Sequence, residues 1–368
     1  MIRIIKVFHI ATLFLSYTFH TYSQCNGSQI LCNKKYNEVA YLTTHNAYNS
    51  AQDNFNLPNH NFNIETQLID GVRGLMIDVY DYLGTPTVYH GSFLLGTEPL
   101  QTYLTDIKTF LDNNPNEVIT LILECYISAN DIEAEINQAG LLSYLYTHTS
   151  NTVWPTLQTM INNNTRLVVF SDQNDANSNQ AWYHYMWEDM VETHYSANSI
   201  NDFNCNFNRG DSINDLFILN HFVTSITGTG SVSQSTTANS NPFFINRVLQ
   251  CQQEKNKFPN FITVDFYELG NCFDVVNQMN GITSTNKHNY EKASINIFPN
   301  PFKDRTLIEL PIEDEYRFSL YDLNGKELIR KNITGKRIEI MRDLLSPGIY
   351  LIEIASPNML YEEKLVLE

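Results

Sequence analysis

The chain has 368 residues, 43% of them hydrophobic, with 21 Tyr and 21 Phe. That is enough for a barrel-sized domain and a smaller second one, because a single core stops growing at roughly 250–300 residues, and it excludes wholesale disorder. A net charge of −17 excludes a partner held by bulk positive potential. No nucleic acid is expected, and contact with an anionic membrane surface is transient at most unless a bound cation changes the local sign.

Residues 1–23 read as a secretory signal. Arg3 and Lys6 precede a mostly apolar run, and Thr21-Tyr22-Ser23 sets small residues at the −3 and −1 positions of a cleavage site. The mature chain is expected to start at Gln24, secreted or at the cell surface, where disulfides are permitted. Of Cys25, Cys32, Cys125, Cys205, Cys251 and Cys272, the pair Cys25 and Cys32 is the easiest to close, and the rest stay open. No later segment approaches the ~20 apolar residues that span a bilayer.

Strand-like apolar runs at 38–43, 74–80, 87–90, 118–125, 166–171, 216–221 and 261–267 alternate with helical patterns at 64–69, 100–111, 131–146, 156–161 and 242–256. Runs such as "VITLILE" and "RLVVFSD" suit a parallel sheet buried on both faces. The alternation predicts an α/β fold, an irregular (β/α) TIM-type barrel over 24–273. In such barrels the working residues stand at the C-terminal strand ends, which here carry His45, Asn46, Asp78, His90, Glu124, Asp172 and Asp265. Each alone reads as a turn former or a cap; the shared habit points to chemistry.

Two histidines can divide acid–base work, one neutral and accepting a proton, the other protonated and donating one. Asn46, Asp78 and Glu124 carry hard oxygen donors of the kind Ca²⁺ takes, with positions left for water and substrate. The combination suits phosphoryl transfer, with the metal neutralising phosphate charge. Past the last strand, Tyr267 is placed either to offer its ring to the face of a substrate or to pack in the core.

The stretches "TTHNAYNS", "GVRGLMIDVYD", "VYHG", "EVITLILECY", "VWPTLQTMINNNTRLVVFSD" and "PNFITVDFY" resemble the X domain of phosphatidylinositol-specific phospholipase C, in its plant-like secreted branch. The resemblance runs from about Asn37 to Tyr267 and implies a phosphodiesterase acting on a phospholipid head group. It implies a general base at His45, a general acid at His90, calcium ligands at Asn46, Asp78 and Glu124, and Asp265 as the carboxylate that fixes the base's tautomer. Met76 stands where metal-dependent members carry a further carboxylate, and Asp78 and Glu124 stand where metal-independent members carry positive charge. Calcium is therefore the expected cation. Arg73 begins a strand rather than ending it and reads as structural. A glycerophosphodiester phosphodiesterase, or an inactive barrel that binds lipid or carbohydrate, remains an alternative; a serine hydrolase lacks its Gly-x-Ser-x-Gly elbow. "GTGSVS" at 228–233 reads as a loop.

Residues 274–294 read as a linker, and 295–368 as a small all-β, sandwich-like domain with Asn-Gly and Pro-Gly turns. "INIFPNPFKDRTLIEL", "YRFSLYDLNGKELIR" and "LSPGIYLIEI" resemble the type A sorting domain of the bacterial type IX secretion system. That implies the type IX machinery as a partner and export through the outer membrane. The catalytic chain is expected to be a monomer.

Overall fold

The computed structural model describes residues 24–176, 179–224, 230–282, 295–322, 327–342, 345–356 and 359–368. The expected signal sequence, most of the expected linker and the Asn-Gly turn at 324–325 lie outside these. The chain divides into two compact units, Met1–Gly281 and Ile282–Glu368.

In the first unit the strands are β1 (Tyr41–Thr44), β2 (Gly74–Tyr82), β3 (Thr85–Val88), β4 (Glu98–Pro99), β5 (Ile119–Cys125), β6 (Leu167–Ser171), β7 (Tyr183–Tyr185), β8 (Met190–Thr193), β9 (Phe207–Gly210), β10 (Leu216–Asn220) and β11 (Phe261–Val264). They run in the order β7-β6-β5-β2-β1-β11-β10-β8-β9, and every neighbouring pair from β7 to β8 is parallel. Among the described residues β7 and β8 do not pair, so the barrel stays open at that seam. The parallel strands are nearly continuous apolar runs because both faces are covered, as in β6, where every residue is buried.

Close approach fixes the strand starts. A Cβ at Gly74 would stand 2.3 Å from Thr43 Oγ1, so only glycine lets β2 begin against β1. Helix Leu100–Asn113 buries Leu100, Tyr103, Leu104, Ile107, Phe110 and Leu111, the spacing of one apolar face. Arg73 gives its Nε to Glu117 at 2.7 Å and Nη1 to two backbone carbonyls, a structural role.

Several expectations need correction. The run at 87–90 is no parallel barrel strand: β3 folds back antiparallel on β2 through a two-residue turn, Leu83-Gly84, with φ +55° and +83°. The helix expected over 131–146 stops at Gln138, where Gly140 with φ +73° ends it, and a 3₁₀ turn follows. Cys272–Met279 is helical, with Val275 and Val276 in the core, so the linker begins after it rather than at 274. In "GTGSVS", Ser231 caps helix Val232–Ala238 and 228–229 lie outside the described residues. Disulfides join Cys25 to Cys32 and Cys205 to Cys251, while Cys125 and Cys272 are free and buried.

The second unit is antiparallel: β12 (Asn296–Phe298), β13 (Arg305–Tyr321), β14 (Glu327–Met341), β15 (Gly348–Ser356) and β16 (Met359–Leu367), with β14 paired to the outer side of β13. Its own core contains Ile308, Phe318, Leu320, Ile340, Ile354 and Leu365. Among the described residues no helix is long and apolar enough to cross a membrane.

Candidate active site

β1 ends at Thr44, and the next two residues make the site. His45 N–H still bonds Val264 O of β11 at 3.0 Å, which extends the ladder by one residue. Asn46 then takes φ +51°, a left-handed turn that asparagine tolerates better than bulkier residues. The turn leaves both side chains lining a cavity of about 320 Å³.

His45, Asn46, Asp78, His90 and Glu124 all line this cavity, as does Asp172 just past β6. Asp265 follows β11 and lies behind His45: its Oδ1 is 3.0 Å from His45 Nδ1 and also accepts from Asn59 Nδ2 at 3.0 Å. A carboxylate only accepts, so the Nδ1 of His45 carries the hydrogen and Nε2 is left as a base. The His45 ring stacks flat on Phe222, 3.8 Å between centroids, and its backbone carbonyl accepts from His60.

His90 arrives by a different route, carried over the strand ends by the β2–β3 hairpin. Its Nδ1 lies 3.0 Å from Asp78 Oδ2, with the Asn46 amide 3.2 Å away. The hydrogen bond to Asp78 raises the imidazole above its ordinary value despite burial, which favours the protonated form of the ring. The two histidine rings stand 6.4 Å apart, nearly perpendicular.

Asp78 and Glu124 are register partners on β2 and β5, so their carboxylates rise side by side. Burial, and then the charge on Asp78, push Glu124 up from its ordinary value, while its bond from Tyr126 pulls it down. With Asn46 these form an oxygen-bearing wall, and Met76 lines the same cavity without an oxygen to add. Among the described residues no three His, Cys, Asp or Glu gather closely enough to hold a metal. The donors fit an ion held by two carboxylates and an amide, with the rest of its shell from water and substrate.

Tyr267 is corrected: it is 1% exposed, donates its hydroxyl to Asp70 at 2.7 Å and does not line the cavity. Residues that the sequence reading passed over do line it, among them Tyr126, Glu192, Tyr195, Arg209, Asn220 and Phe222. Glu192 and Asn220 repeat the signal of a polar residue closing an apolar run. Arg209 left no such signal, because β9 is the four residues "FNRG".

A family model described as PI-PLC X 1 matches residues 31–280, and one described as Secretion system C-terminal sorting domain matches 296–368. An uncharacterized secreted protein of Arthroderma benhamiae is 26% identical, over 72% of this chain and 65% of its own. A PI-PLC X domain-containing protein of Arabidopsis thaliana is 28% identical, over 67% of this chain and 62% of its own. The chain thus spans less than two thirds of those relatives. The solved structure of phosphatidylinositol-specific phospholipase C from S. aureus has 14% identity, covers 67% of this chain and 93% of that one, and superposes with a TM-score of 0.47.

Proposed function

The chain belongs to the PI-PLC X family, and on that premise we propose that it is a secreted phosphodiesterase that cleaves a phospholipid at its head-group phosphodiester. The observation that carries this reading is the pair of histidines across one cavity, each backed by its own carboxylate. His45, with Nδ1 held by Asp265, takes through Nε2 the proton of a substrate hydroxyl next to the phosphodiester. That oxygen forms a bond to phosphorus as the bond to the lipid alcohol breaks, and His90 gives its proton to the departing oxygen. The products are a cyclic phosphate and the free lipid alcohol. His90 then takes back a proton as His45 releases one.

Asn46, Asp78 and Glu124 are the residues that would hold Ca²⁺. When bound, the ion would offset phosphate charge and acidify the attacking hydroxyl. Asp78 would serve both the ion and His90, so its substitution is read by two signals.

The match at 296–368 supports export by a type IX secretion route, with the second unit as the address and the first as the enzyme. The defining assay incubates purified protein with phosphatidylinositol vesicles. Cyclic inositol phosphate in the aqueous phase is the expected product; activity confined to glycerophosphodiesters would replace the reading.

A further inference from the structure

Resting on that phosphodiesterase reading, we propose that Arg209, lent to the cavity by the antiparallel strand β9, is the residue that binds the substrate's phosphate. Asp78, Glu124, Asp172 and Glu192 all line the cavity, and Arg209 is the one Arg or Lys among its described lining residues. A phosphodiester anion entering that wall meets four carboxylates, and a fixed guanidinium facing it offsets part of their repulsion.

The geometry singles out Arg209 as more than a counterion. Its Nε donates to Glu192 Oε1, while Glu192 also accepts from Asn220 and Asn208. No hydrogen bond among the described residues uses Arg209 Nη1 or Nη2. A guanidinium serving only a carboxylate turns its fork to both oxygens; here a single nitrogen is spent, and the two terminal amino groups are left for a second anion. The ring of Trp187 lies 4.7 Å from the guanidinium carbon and that of Tyr195 4.6 Å, which fixes its plane. The side chain is 41% exposed, so a ligand can reach it.

The backbone is held as well. At Gly210, φ is +80° and a Cβ would stand 2.0 Å from Met190 O, so the strand lies tight against β8. Four residues before Arg209, the Cys205–Cys251 disulfide ties the segment to helix Phe243–Lys255. The cation is therefore placed before substrate arrives.

The test compares wild type, Arg209→Gln and the double variant Glu192→Gln/Arg209→Gln, which leaves no buried carboxylate without its partner. Calorimetry with glycerophosphoinositol reads phosphodiester binding, uncharged myo-inositol reads the rest of the site, and turnover of phosphatidylinositol is measured in parallel. Both variants are expected to lose about 10- to 100-fold in glycerophosphoinositol affinity, with myo-inositol unaffected. A folded double variant that binds glycerophosphoinositol like wild type overturns the proposal, as does a wild type that does not bind it. If the double variant does not fold, Arg209→Lys decides: it keeps the charge and loses the fork, so several-fold weakening is expected and unchanged affinity overturns. Wild-type binding through Arg209 without any turnover would sink the phosphodiesterase reading and leave this one standing.

Discussion

The two histidines differ in what they are asked to do, and substitution separates them. His90→Ala should cut hydrolysis of a lipid substrate, whose alkoxide needs a proton, by ~10²- to 10⁴-fold, yet spare an aryl phosphodiester whose phenolate leaves unaided. His45→Ala should damage both; equal losses on both substrates for His90→Ala would remove the acid role. The pH profile gives a second reading. The Asp78 bond holds the His90 proton above the ordinary histidine range, so the alkaline limb of activity lies above 6.5 and activity falls as pH rises through it. Asp78→Asn should move that limb to lower pH; an unmoved limb means that another group sets it. That His45 and Asp265 would meet was legible because they follow the ends of β1 and β11, and His90 was found through its short motif "VYHG" although the hairpin that carries it was not. Tyr267 misled because an aromatic residue after a strand reads the same whether it faces a ligand or Asp70. Asn59, which ties Asp265 to the Asn46 turn, was passed over because nothing in "LPNHNF" tells a bonding asparagine from a turn former.

Among the elements, β1 and β2 set the site, and their contact is intolerant of added volume. Gly74→Ala should destabilise the first unit by about 1–3 kcal/mol and lower the melting temperature, because its Cβ would overlap Thr43 Oγ1. A melting temperature within one degree of wild type would show that the strands can part without cost. The long strands β2, β5 and β6 were readable from their apolar runs. The short ones were not: β7, β8 and β9 have three or four residues each, too few to show a period. β3 was found as a strand with the wrong partner, since extended runs look alike whether parallel or antiparallel, and the Leu83-Gly84 turn lacks the usual asparagine or aspartate at its first position. That one misreading matters for function, because the hairpin is what swings His90 over the cavity.

On the scale of the molecule, acid should weaken the fold. Burial depresses His60, His148 and His184 to about 4, and each is neutral in the folded chain. In the unfolded chain they take protons near 6.5, so stability falls as pH drops from 6.5 toward 4; the contribution of His90, raised by Asp78, is already complete below 6.5 and is lost only as pH rises above that window. The melting temperature is expected to decline across that window, and a flat profile would contradict the buried, neutral state. The two units have separate cores, so residues 24–281 alone should fold and keep full activity. Loss of activity in that fragment would make the second unit part of the enzyme. The division was legible in the change of composition past Tyr267, although the final helix was hidden in "NCFDVVNQM", whose little more than two turns show no sustained period. The most direct test of the whole account is the release of cyclic inositol phosphate from phosphatidylinositol vesicles by wild type beside His45→Ala. Release by wild type, with a loss of ~10²-fold or more in the variant, is the predicted result; wild-type release that survives intact in His45→Ala, or no release by a folded wild type with or without added Ca²⁺, would contradict it.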